Sequence, residues 1–290
     1  MVDKQITADT ITQSQKIHIQ GGLSELFFEK VDLMIRSMGK NLKSTLRSVV
    51  PRQLKKHRIL AGPLRGSWIV TSWQHYHTGI IGSTEPSLIK WFERTVLPGE
   101  TWLDIGANYG YTTMALRRLV GKQGRVFAFE PKLSTSGCLS QTVLLNKLPE
   151  VIVVPMGLGS PDTFELKQLV TFGGMVASNL TVGDSTETIV VARLDWIWPR
   201  ICGSAQRIDG VKIDVQGMEM DVLQGMKGLL NSDRPKLVVE VHGGVDRTAL
   251  LDLLEGCGYN RRGTPIYSVP GEERDPQYYD NFSYAFAAQR

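Results

Sequence analysis

Two groups of residues in this chain have types and spacings that can do chemistry. The first is Asp104, Gly106, Asn108 and Gly110, followed by Glu130. The two glycines mark a loop whose backbone turns sharply or passes close to a ligand, and Asn108 between them tolerates left-handed dihedrals. A loop of this kind that opens a helix presents unpaired N–H groups to a carboxylate or phosphate. An acid ~20 residues further on, at the end of the next strand, can take both hydroxyls of a ribose, and Glu130 stands there. A dinucleotide loop has glycines at offsets zero, two and five. Here Gly106, Asn108 and Gly110 occupy zero, two and four. That spacing argues against NAD or FAD. With Asp104 just ahead, it favours S-adenosylmethionine, whose amino group gives an acid something to hold.

The second group is Asp214, Glu240 and His242, each at the end of an apolar run. Ends of neighbouring parallel strands share the ligand side of a sheet. An alcohol accepting a methyl group is a weak nucleophile, so a base or a metal must help it. In one reading His242 or Asp214 takes the hydroxyl proton. In the second-choice reading Asp214 and Glu240, with Glu219, hold Mg2+ or Ca2+, which lowers the acceptor's pKa. Met156 follows another strand and covers an adenine ring or fills the core. His75 and His77 would share one face of a strand, as a base, as metal ligands, or as hydrogen-bonded loop residues.

The elements that must position these groups alternate. Strands are expected at 102–105, 126–129, 151–154, 211–214 and 235–242, with a final one at 282–287. Helices are expected from Tyr111, over 139–148, from Glu219 and over 249–255. Such alternation implies a parallel sheet with right-handed crossovers. Ahead of it come a strand at 66–70 and a helix at 85–95 burying Leu88, Ile89, Trp91 and Phe92. Residues 160–209 are less regular, with one strand at 188–191, and are read as a substrate lid over the cofactor edge.

At 290 residues, with 42% apolar and 21% charged, the chain is an ordinary globular protein. Cys138, Cys202 and Cys257 are scattered and suggest neither a disulfide frame nor a zinc site. The first residues lack the apolar core of a signal peptide and no run approaches a membrane span, so a cytoplasmic location is expected. Residues 1–75 carry a net charge of +7 and the remainder −3. The expected division is a basic helical extension, residues 1–60, and a main domain, 61–290. Within the extension an amphipathic helix over 24–50 packs on the domain or on a second copy, or contacts an anionic membrane or nucleic acid.

DIGANYGYTT at 104–113, FEP at 129–131, RLDWI at 193–197, KIDVQGMEMDVLQG at 212–225 and VVEVHG at 238–243 occur in that order. With GSTEP at 82–86 as lead-in, they resemble the FkbM family of methyltransferases over about residues 80–287. The resemblance implies a class I, Rossmann-like α/β fold: seven strands, mostly parallel with an antiparallel last one, and helices on both faces. It implies S-adenosylmethionine as cofactor and a hydroxyl acceptor on a sugar, glycoside or secondary metabolite. Carried over by position, Asp104, Gly106, Asn108 and Gly110 form the methionine-binding loop and Glu130 holds the ribose. Glu85 approaches the methionine end, and Asp214 lies beside the methyl group. The family's D-x-E-G-x-E has Gln216 at its middle acid here, which hydrogen-bonds but carries no charge. Two other readings stand beside this one: a protein that binds the cofactor without transfer, and an RNA methyltransferase using the basic front. The absence of an NPPY-like motif weighs against the second.

Overall fold

The computed structural model describes residues 51–170, 186–202, 206–266 and 282–289. The amphipathic stretch 24–50 and the part of the insertion at 171–185 lie outside them. In chain order the elements are β1 (Lys55–Arg58), β2 (Trp68–Thr71), α1 (Trp73–Ile81), α2 (Pro86–Thr95), β3 (Thr101–Ile105), α3 (Tyr111–Val120), β4 (Arg125–Phe129) and α4 (Leu133–Leu145). They continue with β5 (Val151–Val154), β6 (Gly157–Gly159), β7 (Phe164–Val170), β8 (Thr186–Arg193), α5 (Leu194–Cys202), β9 (Gly210–Ile213), α6 (Glu219–Gly225) and α7 (Lys227–Asp233). The last are β10 (Lys236–Val241), α8 (Arg247–Gly256), β11 (Thr264–Pro265) and β12 (Phe282–Phe286).

Alternation of side chains along the buried strands builds two cores, one on each face of the sheet. Trp102, Val126 and Ala128 pack with Phe92, Met114 and Leu139 from the helices before and between β3 and β5. Leu103, Ile105, Phe127 and Ile213 point the other way, to Leu223 and Leu254 from the later helices. The seven-stranded sheet runs β11-β12-β10-β9-β3-β4-β5, with β12 antiparallel to β10 and β11. The chain starts at β3 in the middle, works outward through β4 to β5, and returns to β9 on the other side of β3. The strand order therefore reverses between β3 and β9, and the crevice above a reversal is where open α/β sheets bind ligands. This is the class I, Rossmann-like architecture, antiparallel last strand included.

The insertion contributes a second sheet, β6-β8-β7. Leu169, Ile189 and Val191 form a small buried cluster on it. Before the main sheet, β1 pairs antiparallel with β2, across the division expected at residue 60. Among the described residues no helix is long and apolar enough to cross a membrane.

Local expectations needed correction in three places. His75 and His77 lie on α1, not on a strand, on either side of a kink at Tyr76 (φ −150°, ψ 54°). Ser72 caps this helix by accepting the His75 N–H. Helix α4 begins six residues earlier than the apolar run 139–148 suggests and ends at Leu145. Trp91 is half-buried, while Leu88, Ile89 and Phe92 are buried.

Candidate active site

The loop between β3 and α3 has the dihedrals its residues suggest. Gly106 (φ 81°), Asn108 (φ 50°) and Gly110 (φ 90°) are all left-handed. Gly106 has a further constraint, since a Cβ there would stand 1.7 Å from the Asp214 carbonyl oxygen. The loop is tied to β4 by Glu130, whose Oε2 accepts from Asn108 N at 2.9 Å and whose Oε1 accepts from Lys132 N at 3.0 Å. Burial pushes the Glu130 pKa up, against those two backbone hydrogen bonds.

Asp104 and Lys212 are register partners on adjacent parallel strands. Asp104 is fully buried, and its Oδ2 accepts from Thr112 Oγ1 at 2.8 Å and Thr113 Oγ1 at 2.6 Å. Lys212 Nζ donates to the Gly106 carbonyl at 3.0 Å and sits 3.3 Å from Asp104 Oδ1 and 3.4 Å from Asp214 Oδ2. Burial alone would lower the Lys212 pKa, but the carboxylates of Asp104, Asp214 and Glu85 carry it above its ordinary value. The Lys212 ammonium thus ties the floor of the loop to β9.

Glu85 precedes α2 with φ 43°. Its Oε2 is buried without a hydrogen-bond partner. Burial pushes its pKa up to about 8; Lys212 works against this, and Asp214, Glu240 and Asp104 add to it.

A cavity of ≈ 690 Å³ opens at the carboxyl ends of β3, β4 and β9. Gly106, Asn108, Glu130, Met156 and Asp214 line it, and Ile189 and Val191 of the second sheet close one side. Beside it lies the second group. Asp214 and Glu240 stand next to the paired residues Ile213 and Val239. His242 Nδ1 donates to Glu219 Oε1 at 2.6 Å. His242 Nε2 is 3.6 Å from Asp214 Oδ1 and 3.5 Å from Glu240 Oε1. Gln216 Nε2 stands 2.9 Å from His242 Nε2 and 3.4 Å from Asp214 Oδ1. Burial opposes a charge on His242, but the Glu219 hydrogen bond and Asp214 outweigh it and raise its pKa. Burial, then Asp214, raises that of Glu240 to about 6 against the pull of His242 and Lys212.

A sequence profile described as the Methyltransferase FkbM domain matches residues 104–261, which span both groups. The chain belongs to the FkbM methyltransferase family. That family is one of methyltransferases that use S-adenosylmethionine as cofactor. The hexuronic acid methyltransferase AglP of Haloferax volcanii is 31% identical to it over 156 residues, 52% of this chain and 59% of that relative. The match thus spans less than two thirds of the relative's length. Similar solved structures include the following two. Methyltransferase FkbM from Methylobacillus flagellatus KT has TM-score 0.43 and 18% identity, over 73% of this chain and 52% of that one. Aeropyrum pernix fibrillarin, solved with natively bound S-adenosylmethionine, has TM-score 0.43 and 13% identity, over 82% and 86%.

Within this FkbM chain the structure brings Gly106, Asn108, Glu130, Met156 and Asp214 to one cavity and clusters Asp214, Glu240 and His242 beside it. Sequence reasoning missed Lys212, Thr112 and Thr113, and it missed Glu219 as the partner of His242. A lysine inside the apolar run 211–214 is a signal for the first: a buried ammonium requires a carboxylate beside it.

Proposed function

We propose that this protein transfers the methyl group of S-adenosylmethionine to a hydroxyl of a sugar or a similar small metabolite, with sugar acids as the first acceptor class. The observation that carries this is the junction at Asp214, which belongs both to the cavity wall and to the cluster with Glu240 and His242. Similarity to a hexuronic acid methyltransferase supports the acceptor class.

The residues fit this cofactor. The site has an excess of acids over its one buried lysine, and Glu85 Oε2 is buried with nothing to bond, which suits a ligand bearing ammonium and sulfonium charges. When bound, the cofactor supplies an electrophilic methyl carbon on a neutral leaving group. Glu130 would take the ribose hydroxyls, and the loop of Gly106, Asn108 and Gly110, braced from beneath by the buried Asp104, would receive the methionine portion. Glu85 meets the ammonium. Met156, with Phe129 and Leu158, supplies the apolar slot for adenine. Asp214 faces the acceptor, and the cluster it shares with Glu240 and His242 is where the hydroxyl loses its proton. The cavity wall from β7 and β8 closes the side next to Met156 and Leu158, over the cofactor edge, as a lid would.

Turnover with a panel of hexuronic acids, neutral glycosides and RNA tests this. Methyl transfer to a sugar hydroxyl, at least about 100-fold slower in Asp214→Asn, is expected for a group acting on the proton in the transition state. Transfer to RNA alone, or full turnover in Asp214→Asn, would contradict it.

A further inference from the structure

We propose that Asp214, Glu240 and His242 bind one divalent first-row transition cation, such as Mn2+ or Zn2+, at the edge of the cofactor cavity. This deepens the hydroxyl-activating role given to the same cluster and rests on that reading.

Their ligand atoms lie within 4.8 Å of one another. The separations of His242 Nε2 from Asp214 Oδ1, 3.6 Å, and from Glu240 Oε1, 3.5 Å, are too long for hydrogen bonds. They suit a shared ion: nitrogen and oxygen ligands each ~2.0–2.2 Å from one metal stand about 3.0–3.5 Å apart. A single cation among the three would account for the spacing.

The histidine is held for this purpose. Glu219 is fully buried, and its Oε1 accepts from His242 Nδ1 at 2.6 Å and from Gly217 N at 3.1 Å. Ligating histidines commonly give their second ring N–H to a carboxylate in this way, which fixes the tautomer and aims the other nitrogen at the metal. Here the aimed nitrogen is Nε2, which faces two carboxylate oxygens. In the neutral ring its lone pair and those oxygens would converge on a cation between them. The Gln216 amide nitrogen, 2.9 Å from Nε2 and 3.4 Å from Asp214 Oδ1, stands in for it. Turning that amide over would offer its oxygen as a neutral fourth ligand.

The charges divide accordingly. Lys212 is shared by Asp104 and the Oδ2 side of Asp214, leaving Oδ1 to the cluster. Two carboxylates then match a divalent ion, and Gln216 keeps the count at two. The donor set also decides which ion. Glu219 gives its Oε1 to His242 and to the Gly217 N–H, so the histidine takes the place of a third carboxylate in the cluster. An imidazole among the ligands favours first-row transition metals over all-oxygen cations. An ion there would lower the pKa of a hydroxyl held against it from the cavity side.

The test is Mn2+ binding to the whole protein with S-adenosylhomocysteine present, read by the loss of the free-ion paramagnetic resonance signal. Saturable binding of one ion per chain is expected, displaced by Zn2+ but not by equal Mg2+. It should weaken at least about 10-fold in Glu240→Gln and about 10–100-fold in Glu219→Gln. Calorimetry with S-adenosylhomocysteine shows whether each variant is folded. Wild-type protein that binds the nucleoside but no Mn2+ or Zn2+ would overturn the metal site alone, as would Mn2+ binding unchanged in both variants. Displacement by equal Mg2+ would overturn the transition-metal assignment. Absence of nucleoside binding would overturn the functional reading on which the site rests.

Discussion

Glu85 Oε2 is buried without a hydrogen-bond partner, and burial raises its pKa to about 8 from an ordinary carboxylate value. A group whose folded pKa is raised this way is neutral in the folded protein and ionised in the unfolded chain between the two values. Its stabilising effect is therefore full at low pH and declines as pH rises to about 8. In the cofactor-free protein Glu85→Gln should raise the melting temperature, by an increment that grows from pH 5 to about pH 8 and then levels off. An increment independent of pH would remove the burial argument. Glu130 differs in being satisfied, with one backbone N–H on each oxygen. Its two remaining lone-pair directions are what the ribose would use. Glu130→Ala forfeits hydrogen bonds to a charged group, worth ~1.5–3 kcal/mol, and should weaken S-adenosylhomocysteine about 10–100-fold by calorimetry.

At the scale of elements, the site depends on how closely the β3–α3 loop approaches the end of β9. Gly106→Ala places a Cβ 1.7 Å from the Asp214 carbonyl at φ 81°. Gly66→Ala meets nothing within 4 Å at φ 85°. The second change costs only its dihedral, ~1–2 kcal/mol, so Gly106→Ala should destabilise clearly more in denaturant melts. Equal losses would mean that the loop yields. This loop was legible in the sequence because glycine and asparagine at 106, 108 and 110 announce left-handed turns, and buried strands on either side announce the sheet. The parallel sheet followed from the alternation of elements, but its strand order did not. What was not legible came from pairings distant in sequence. Nothing near Lys212 points to Asp104, which the parallel register sets beside it. Glu219 reads locally as an acid favouring the start of a helix, yet it is fully buried against His242. The stretch from Trp73 has no clean period, and only Ser72 as a helix cap signals that His75 belongs to a helix.

Over the whole molecule, charge is distributed unevenly: +7 in residues 1–75 and −3 beyond them. The acid excess converges on the carboxyl ends of the sheet, where Glu85, Asp104, Glu130, Asp214 and Glu240 oppose the buried Lys212. Such a pocket should prefer the positively charged methyl donor to its neutral product, which helps the product leave. A cofactor analogue with an ammonium in place of the sulfonium should therefore bind more tightly than S-adenosylhomocysteine. Because the charges are buried, that preference should survive high salt; equal affinities by calorimetry would contradict it. The most direct test of the account follows the methyl group itself, from S-adenosylmethionine carrying a 13C methyl to a hexuronic acid or glycoside, with the product examined by NMR. The account predicts the labelled carbon bonded to a sugar oxygen, in wild-type protein and not in Asp214→Asn. Label found only on nitrogen or carbon, or no transfer to any hydroxyl by protein that binds the cofactor, would contradict it.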